Sequence, residues 1–302
     1  MTAPEVTQGN ADCRPVLDCG GKPLDLGRVT LMGILNVTPD SFSDGGAFSV
    51  PERAVEHALA MVEEGADIID VGGESTRPGA QAVTAAEEIR RVIPVIRVLA
   101  QAIPVPVSVD TSKPEVMRAA ADAGAGMIND VMALRTAGAL ETVRELGLPV
   151  CLMHMQGEPR SMQRNPTYRD VVGEILAFLR ERIDACVAAG IPRDRLIVDP
   201  GFGFGKTVEH NLELLRRLPE FGTLQAPVLV GLSRKSLIGA VLGLPVGERL
   251  HASVALALCA AQQGAAIVRV HDVRPTREAL RMAEAVAGRR RWRSATMDCE
   301  GQ

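Results

Sequence analysis

The stretch LMGILNVTPDSFSDGG (residues 31–46) begins as an apolar segment and then becomes polar. Leucine, methionine and isoleucine side chains lead up to Asn36. The residues after it are rich in threonine, proline, aspartate, serine and glycine, a composition typical of loops. A short apolar run bounded by loop residues is typical of a buried strand. The stretch therefore predicts a buried strand that leads directly into a polar loop.

Eight such apolar runs, each followed by a longer stretch with helical periodicity, repeat along the chain. The runs are residues 31–37, 67–73, 105–110, 127–131, 149–154, 196–201, 228–233 and 267–272. The helical stretches are residues 51–64, 84–102, 114–123, 137–146, 169–189, 206–218, 247–263 and 276–287. Because the edge strands of an open sheet are more polar than these runs, the pattern favours a closed barrel of parallel strands. We predict an α/β fold, a (β/α)8 TIM barrel with an N-terminal β-hairpin.

The predicted barrel domain covers residues 16–287. Its first segment, VLDCGGKPLDL, predicts the β-hairpin, with a turn at Gly20 and Gly21 and in a position to close the barrel floor. Residues 1–15 are expected to be a flexible N-terminus and residues 288–302 a flexible Arg-rich tail. A basic run with one tryptophan could contact RNA, but we favour a solvated chain end.

Composition and charge narrow the functional class. The 302-residue chain has a net charge of −4, which gives no reason to expect nucleic acid or a membrane surface as its main partner. No apolar run is long enough to cross a bilayer and residues 1–30 lack a secretory signal, so we expect a cytoplasmic protein. The six cysteines form no C-x-x-C pair and the five histidines no H-E-x-x-H spacing. We expect reduced thiols, with Cys151 and Cys259 in the core, and no structural zinc.

Polar and charged residues stand at the ends of the predicted strands, where the sites of such barrels are built. They are Asn36, residues 74–77, Asp110, Asn129, Asp130, residues 153–156, Asp199, residues 233–236, Arg269 and His271. A single polar residue is explained by a strand end that meets water, but polar residues at eight strand ends in succession are not explained in this way. The mixture of carboxylates, amides and cations suits a ligand with a flat hydrogen-bonding heterocycle and an anionic group.

Five of these residues indicate the chemistry of that ligand. Asp110, Asn129 and Asp199 follow apolar residues, so their side chains would point into a mostly dry barrel mouth and would need hydrogen-bond donors. A guanidine-like edge, as in pterin or guanine, pairs bidentately with a carboxylate. Arg269 and His271 are two residues apart on one strand and therefore share a face. We interpret them as an anion clamp.

Several further signals are discounted or left open. The segment GFGFGKT (residues 201–207) is one residue too short for a phosphate loop, which disfavours nucleotide hydrolysis. Ser233 lacks the G-x-S-x-G frame of a nucleophile elbow. His154 is either a core histidine or a site residue. The three histidines in the predicted helical stretches, at positions 57, 210 and 251, are interpreted as surface or packing residues.

Together with IIDVGGESTRPGA (residues 68–80), the opening stretch resembles the two signature segments of the dihydropteroate synthases, pterin-binding enzymes of folate synthesis. The similarity continues in order through VSVDTSKPEV, MIND, VCLMHMQG, DPGFGFGK, GLSRKS and IVRVHDV, over about residues 31–273. The resemblance implies a (β/α)8 homodimer that condenses 7,8-dihydropterin-6-ylmethyl pyrophosphate with p-aminobenzoate, with the help of Mg²⁺. The products are 7,8-dihydropteroate and pyrophosphate.

The resemblance also implies residue roles. Asn36, Thr76, Arg269 and His271 would serve the pyrophosphate, with Asn36 also reaching the metal. Asp110, Asn129, Met153, Asp199, Phe204, Lys235 and Arg269 would hold the pterin. Phe42, Arg77 and Ser236 would form the p-aminobenzoate pocket. The loops at 38–50 and 75–83 are interpreted as lids that close over bound pyrophosphate.

Two other functions stay open at this stage. A pterin-binding methyltransferase on the same barrel, passing a methyl group from methyltetrahydrofolate to a corrinoid protein, would share the pterin carboxylates but not the polar loops or the anion clamp. A non-catalytic pterin-binding paralogue would be favoured by loss of Asn36, Arg77, Lys235 or His271, all of which are present. The apolar helix predicted over 250–263 is our candidate for part of the dimer contact.

Overall fold

A computed structural model describes residues 16–38, 50–74, 83–157, 162–163 and 165–288. The strands are β1 (Val16–Cys19), β2 (Lys22–Asp25), β3 (Thr30–Asn36), β4 (Ile68–Gly72), β5 (Val107–Asp110), β6 (Met127–Asp130), β7 (Val150–Met153), β8 (Leu196–Asp199), β9 (Leu229–Val230) and β10 (Ile267–Val270). The α-helices are α1 (Val50–Glu63), α2 (Ala85–Ala102), α3 (Pro114–Asp122), α4 (Ala139–Leu146), α5 (Val171–Ala188), α6 (Val208–Arg216), α7 (Ser236–Leu242), α8 (Leu250–Gln262) and α9 (Val273–Val286). Short 3₁₀ helices cover Arg193–Arg195, Leu218–Leu224 and Val246–Glu248.

Strands β3 to β10 form one parallel sheet that curls into a barrel. Their order is β8, β7, β6, β5, β4, β3, β10, β9. A parallel bridge between Val198 in β8 and Val228, just before β9, joins the two ends of this order. The predicted (β/α)8 barrel is therefore confirmed. None of the helices in the described ranges has the length and apolar character needed to cross a membrane.

The predicted hairpin is also confirmed, and it closes the floor of the barrel. β1 and β2 are antiparallel, and the turn residues Gly20 and Gly21 have φ of 64° and 89°, the left-handed conformation that a two-residue hairpin turn requires. Leu17, Cys19 and Leu24 pack against residues at the amino ends of the barrel strands, among them Ile68, Met127 and Ile267. The hairpin thereby covers the end of the barrel opposite the candidate site.

The elements differ from the predicted pattern between residues 228 and 263. The sequence predicts one helix over 247–263, whereas the structure has α7 ahead of α8. A seven-residue helix spans two turns and shows too little periodicity to be read from sequence. The predicted run 228–233 contains only the two-residue β9, because an apolar sequence marks burial and not strand pairing.

The side chains of each barrel strand alternate between two environments. In β4, Ile69 and Val71 pack in the core between strands and helices, whereas Ile68 packs in the barrel interior. Asp70 and Gly72 share the inward face with Ile68, since successive residues of a strand point to opposite sides. In β10, Val268 and Val270 pack in the outer core. This alternation directs the polar residues of the strands into the barrel and towards its carboxyl end.

The cysteines divide between core and surface. Cys151 in β7 is buried, as predicted. The prediction that Cys259 lies in the core is wrong, because Cys259 is exposed on α8. Helix α8 is apolar on more than its inner side, so hydrophobicity alone does not show which of its residues face the barrel.

Candidate functional site

Asn36 and Asp110 face each other across a glycine at the mouth of the barrel. In the strand register, Gly72 lies opposite Asn36 on one side and opposite Asp110 on the other. A Cβ atom added to Gly72 would lie 3.7 Å from Asn36 Oδ1 and 3.8 Å from Asp110 Oδ2. Because glycine has no side chain, an amide oxygen and a carboxylate oxygen border the same gap. Two hard oxygen atoms suit a cation such as Mg²⁺.

This donor set fits Mg²⁺ bound together with a phosphorylated substrate. Within the described ranges, no group of three His, Cys, Asp or Glu side chains could hold a metal by itself. Mg²⁺ commonly takes one or two protein ligands and completes its octahedral shell with water and substrate phosphates. Asn36 is the residue placed to supply such a ligand.

Arg269 joins two carboxylates inside the barrel. Its Nε donates to Asp70 Oδ2 at 2.7 Å, and a terminal nitrogen donates to Asp110 Oδ2 at 2.9 Å. Asn129 also donates to Asp70 Oδ2, through Nδ2 at 3.0 Å. Asp70 was not singled out from the sequence. The available signal was a carboxylate inside the apolar run DIIDVGG, where it would be buried and would need partners.

The predicted anion clamp is brought together only in part. Arg269 belongs to the inward face of β10, and His271 follows that strand. The two side chains, however, have different partners. Arg269 binds the two carboxylates, whereas His271 Nδ1 lies 2.9 Å from Ser233 Oγ. The same hydroxyl accepts the His271 backbone N–H at 3.2 Å. Ser233 therefore fixes the imidazole at the barrel mouth.

Asp110 has a higher pKa than is usual for an aspartate. Burial raises its pKa to about 7, and the charge of Arg269 opposes part of this increase. The carboxylate therefore changes its charge near neutral pH. A carboxyl group with this pKa at the mouth of a barrel is typical of a functional site.

Asp199 and Lys235 form the opposite side of the mouth. Asp199 is buried at the end of β8, and its Oδ1 accepts the backbone N–H of Gly201 at 2.7 Å. Burial raises its pKa, and the charge of Lys235 opposes the increase. Lys235 donates to the carbonyl of Phe202 and lies 4.6 Å from the centre of the Phe204 ring. Burial lowers the pKa of Lys235 to about 8.

A group of methionines lines the space next to these polar residues. Met153 at the end of β7 packs with Val131, Met155 and Met162, and Phe204 packs against this group. Methionine side chains adapt their shape and make favourable contacts with aromatic rings. Such a cluster suits contact with the face of a flat heterocycle, and the roles given to Met153 and Phe204 stay predictions.

Lys206 holds the loop that follows β8. Its buried Nζ donates to the carbonyls of Gly201 at 2.8 Å and Phe204 at 3.0 Å, and it lies 3.0 Å from His154 Nδ1. The lysine of the GFGFGKT segment thus binds the loop itself. His154 is buried and makes an edge contact with the Phe178 ring, so it is a core residue. Burial lowers the pKa of His154 to about 2, which keeps it neutral.

The remaining predicted residues belong mainly to the two polar loops. Phe42, Thr76 and Arg77 lie outside the described residues, as do the central parts of the predicted lids. Ser236 is exposed as the first residue of α7, next to Lys235.

Comparison with known proteins identifies the family. A profile described as pterin binding enzyme matches residues 32–271. The chain is 56% identical over 265 residues to the dihydropteroate synthase of Escherichia coli strain K12, covering 88% of this chain and 94% of that protein. The structure of Xanthomonas albilineans dihydropteroate synthase with 4-aminobenzoic acid is 56% identical, with a TM-score of 0.87 over 91% of this chain and 98% of that chain. The X. albilineans enzyme in complex with 7,8-dihydropteroate is 53% identical, with a TM-score of 0.84 over 90% and 99%. The chain therefore belongs to the pterin-binding enzyme family and, within it, to the dihydropteroate synthases.

Proposed function

We propose that this chain condenses 7,8-dihydropterin-6-ylmethyl pyrophosphate with p-aminobenzoate to give 7,8-dihydropteroate and pyrophosphate. The observation that carries the proposal is the arrangement of Asp199, Lys235 and Phe204 at one side of the barrel mouth. The buried carboxylate matches the hydrogen-bonding edge of a pterin, the lysine matches its carbonyl and the aromatic ring matches its face. The 4-aminobenzoic acid and 7,8-dihydropteroate bound to the X. albilineans enzyme support the same reaction.

In this proposal Asp199 accepts hydrogen bonds from the amino group and the neighbouring ring N–H of the pterin. Lys235 donates to an acceptor on the same ring system. Asp110 and Asn129 bind the other side of the heterocycle, with Met153 against its face. The aspartates must be ionised for this role, because a protonated carboxyl group would present a donor to a donor.

The departing pyrophosphate is stabilised at the other side of the mouth. Ser233 holds the imidazole of His271 at Nδ1, so Nε2 points away from Ser233. Asn36 and Arg269 complete the group of candidate partners. When bound, Mg²⁺ would neutralise charge that develops on the phosphate oxygens.

The amine of p-aminobenzoate needs no strong base in this mechanism. The electron-rich dihydropterin stabilises positive charge at the exocyclic methylene as the C–O bond breaks. The amine then attacks a cation that the site has shielded from water. Phe42, Arg77 and Ser236 are proposed to bind p-aminobenzoate, and Thr76 to bind the diphosphate.

We also propose that the chain acts as a homodimer with small-molecule substrates. Helix α8 supports this proposal, because Ala255 and Cys259 are exposed on a helix that is almost entirely apolar. A second copy of the chain would cover this face.

The direct test is to incubate the purified protein with the pterin pyrophosphate, p-aminobenzoate and Mg²⁺ and to measure dihydropteroate. We expect product that depends on both substrates and is lost on chelation of the metal. Folded protein that binds the pterin but releases no product would indicate a non-catalytic paralogue. Transfer of a methyl group from methyltetrahydrofolate to a corrinoid protein would indicate the methyltransferase instead.

A further inference from the structure

Asp70 lies one layer below the candidate pterin site, inside the barrel. It belongs to the inward face of β4, two residues before Gly72, and it is fully buried. We propose that Asp70 is a positioning residue for the pterin substrate, because it holds both the amide of Asn129 and the guanidinium of Arg269. The inference rests on the proposed function and extends it to a residue that does not touch the substrate.

Asp70 determines which way the Asn129 amide faces. Asn129 Nδ2 donates to Asp70 Oδ2 at 3.0 Å. A rotation of the amide by 180° would place its oxygen against the carboxylate, where two acceptors would repel each other. The carboxylate therefore keeps the Asn129 oxygen on the other side of the amide, available as an acceptor for a ring N–H.

Asp70 also holds the Arg269 guanidinium at its Nε atom. Arg269 Nε donates to the same Oδ2 atom at 2.7 Å, while its terminal nitrogen reaches Asp110 at 2.9 Å. A pterin that binds Asp110 competes only for the terminal contact. The Nε contact with Asp70 can persist, so that the guanidinium stays beside the pocket while Asp110 turns to the substrate.

The cost of burying Asp70 indicates that its charge serves the site. Oδ2 accepts two hydrogen bonds, whereas Asp70 Oδ1 is buried and has no partner among the described residues. A carboxylate oxygen without a donor is expensive in the protein interior. Ser108, opposite Asp70 in the strand register, also has a buried hydroxyl without a partner in the described part of the chain. In the described part of the chain Ser108 makes no hydrogen bond to Asn129 or Arg269, so it provides a matched control.

The test compares Asp70→Asn with Ser108→Ala. Asp70→Asn presents an NH₂ group or a single acceptor to two donors. It should lower kcat/KM for the pterin pyrophosphate by about 30-fold or more and leave the KM for p-aminobenzoate within about twofold. Ser108→Ala should change both by less than about threefold. In an Asn129→Ala background, the loss caused by Asp70→Asn should shrink to less than about tenfold, because its partner is already absent.

Three results would overturn the inference. The first is an active wild-type enzyme together with an Asp70→Asn variant whose kcat/KM for the pterin pyrophosphate falls no more than that of Ser108→Ala. A wild-type protein that makes no dihydropteroate contradicts the proposed function instead. The second is full additivity with Asn129→Ala. The third is measured on wild-type protein labelled with ¹⁵N-asparagine and does not require Asp70→Asn to fold. The Asn129 Nδ2 signal, assigned by its loss in Asn129→Ala, should exchange slowly with solvent and remain when the pterin pyrophosphate binds. Rapid exchange in both states contradicts the proposed contact.

Discussion

Asp199 shows how one atom of a side chain can define a site. Its Oδ1 already accepts the Gly201 N–H, so the proposed recognition of the pterin edge depends on the remaining acceptor capacity of the carboxylate. In Asp199→Asn, the amide oxygen would keep the Gly201 contact and the NH₂ group would face the donors of the pterin. We expect a penalty of about 2–3 kcal/mol, or about 30- to 150-fold in kcat/KM for the pterin substrate.

Steady-state kinetics with each substrate varied would check this prediction. The KM for p-aminobenzoate should stay near its wild-type value, because we propose that this substrate enters from the side of the polar loops. A loss of less than about threefold would show that Asp199 does not read the pterin edge and would transfer that role to Asp110.

Two residues of the site are expected to set a narrow pH range for capture of the pterin substrate. Burial raises the pKa of Asp110 to about 7 and lowers the pKa of Lys235 to about 8. Asp110 is a pure acceptor only above its pKa, and Lys235 carries its charge only below its pKa. Because kcat/KM reports ionisation of the free enzyme, it should rise as the pH increases through about 7 and fall as it increases through about 8.

Variants can assign the two limbs of this profile. Asp110→Asn should remove the acid limb. Lys235→Arg stays charged and should remove the alkaline limb, although both variants should have lower activity throughout. A limb that persists in its variant would belong to the substrate phosphates or to another group. A flat wild-type profile between about pH 6 and 9 would contradict both assignments.

Among the elements, the loop after β8 depends most on a single side chain. Lys206 Nζ binds the carbonyls of Gly201 and Phe204 and so connects the two ends of the turn that carries Phe204. Lys206→Met should release this turn and raise the KM for the pterin substrate by about tenfold, since small displacements of binding groups have large effects on catalysis. The KM for p-aminobenzoate should change little.

Lys22 is a matched control for this experiment. Its Nζ also donates to backbone carbonyls, those of Ala100 and Ile103, but it lies on the hairpin at the barrel floor. Lys22→Met should leave both KM values unchanged. Equal effects of the two variants on the KM for the pterin would indicate a general loss of barrel stability.

Most of the fold could be predicted from the sequence, because the apolar patterns show which residues of each element are buried. The hairpin and the eight barrel strands have apolar patterns or glycine turns that few other structures would satisfy. The helix α7 was missed because its residues are too few to show a period. The position of Cys259 was wrong because α8 is apolar on exposed as well as buried sides.

The candidate site could be predicted from the sequence at the ends of the strands, but not in the layer below them. Asn36, Asp110 and Asp199 stand where an apolar run stops, which marks them in the sequence. Asp70 lies inside such a run, and its contact with Arg269 joins residues 199 positions apart. Lys206 was visible only as part of a segment similar to a phosphate loop. Strand register determines which distant side chains meet inside a barrel, and the residue pattern of one strand does not reveal that register.

At the scale of the whole molecule, the barrel separates stability from function. The hairpin and the amino ends of the strands form an apolar cluster at the floor. The charged residues Asp70, Asp110 and Arg269 occupy the carboxyl half, where their mutual contacts compensate part of the cost of burial. The apolar floor supports the strands, so the mouth can hold charges that a packed core would not tolerate.

The outer face of α8 leads to a prediction about assembly. Ser253, Ala257 and Ala260 face the barrel, whereas Ala255 and Cys259 are exposed. An exposed apolar helix face is typical of a contact between subunits. We expect sedimentation equilibrium at micromolar concentration to give twice the chain mass of 32.1 kDa. Ala255→Arg should shift the protein towards monomer, because an arginine and its counterpart in the second copy would bring charge into an apolar contact.

Ala177→Arg on α5 is the matched control, because it places the same side chain at an exposed alanine of another helix. This variant should sediment like the wild type. Thermal unfolding measured on both variants would show that the change in mass does not come from loss of the fold. A wild-type protein that sediments at 32.1 kDa, or an Ala255→Arg variant that stays dimeric, would remove α8 from the interface. The exposed apolar face would then need another partner to cover it.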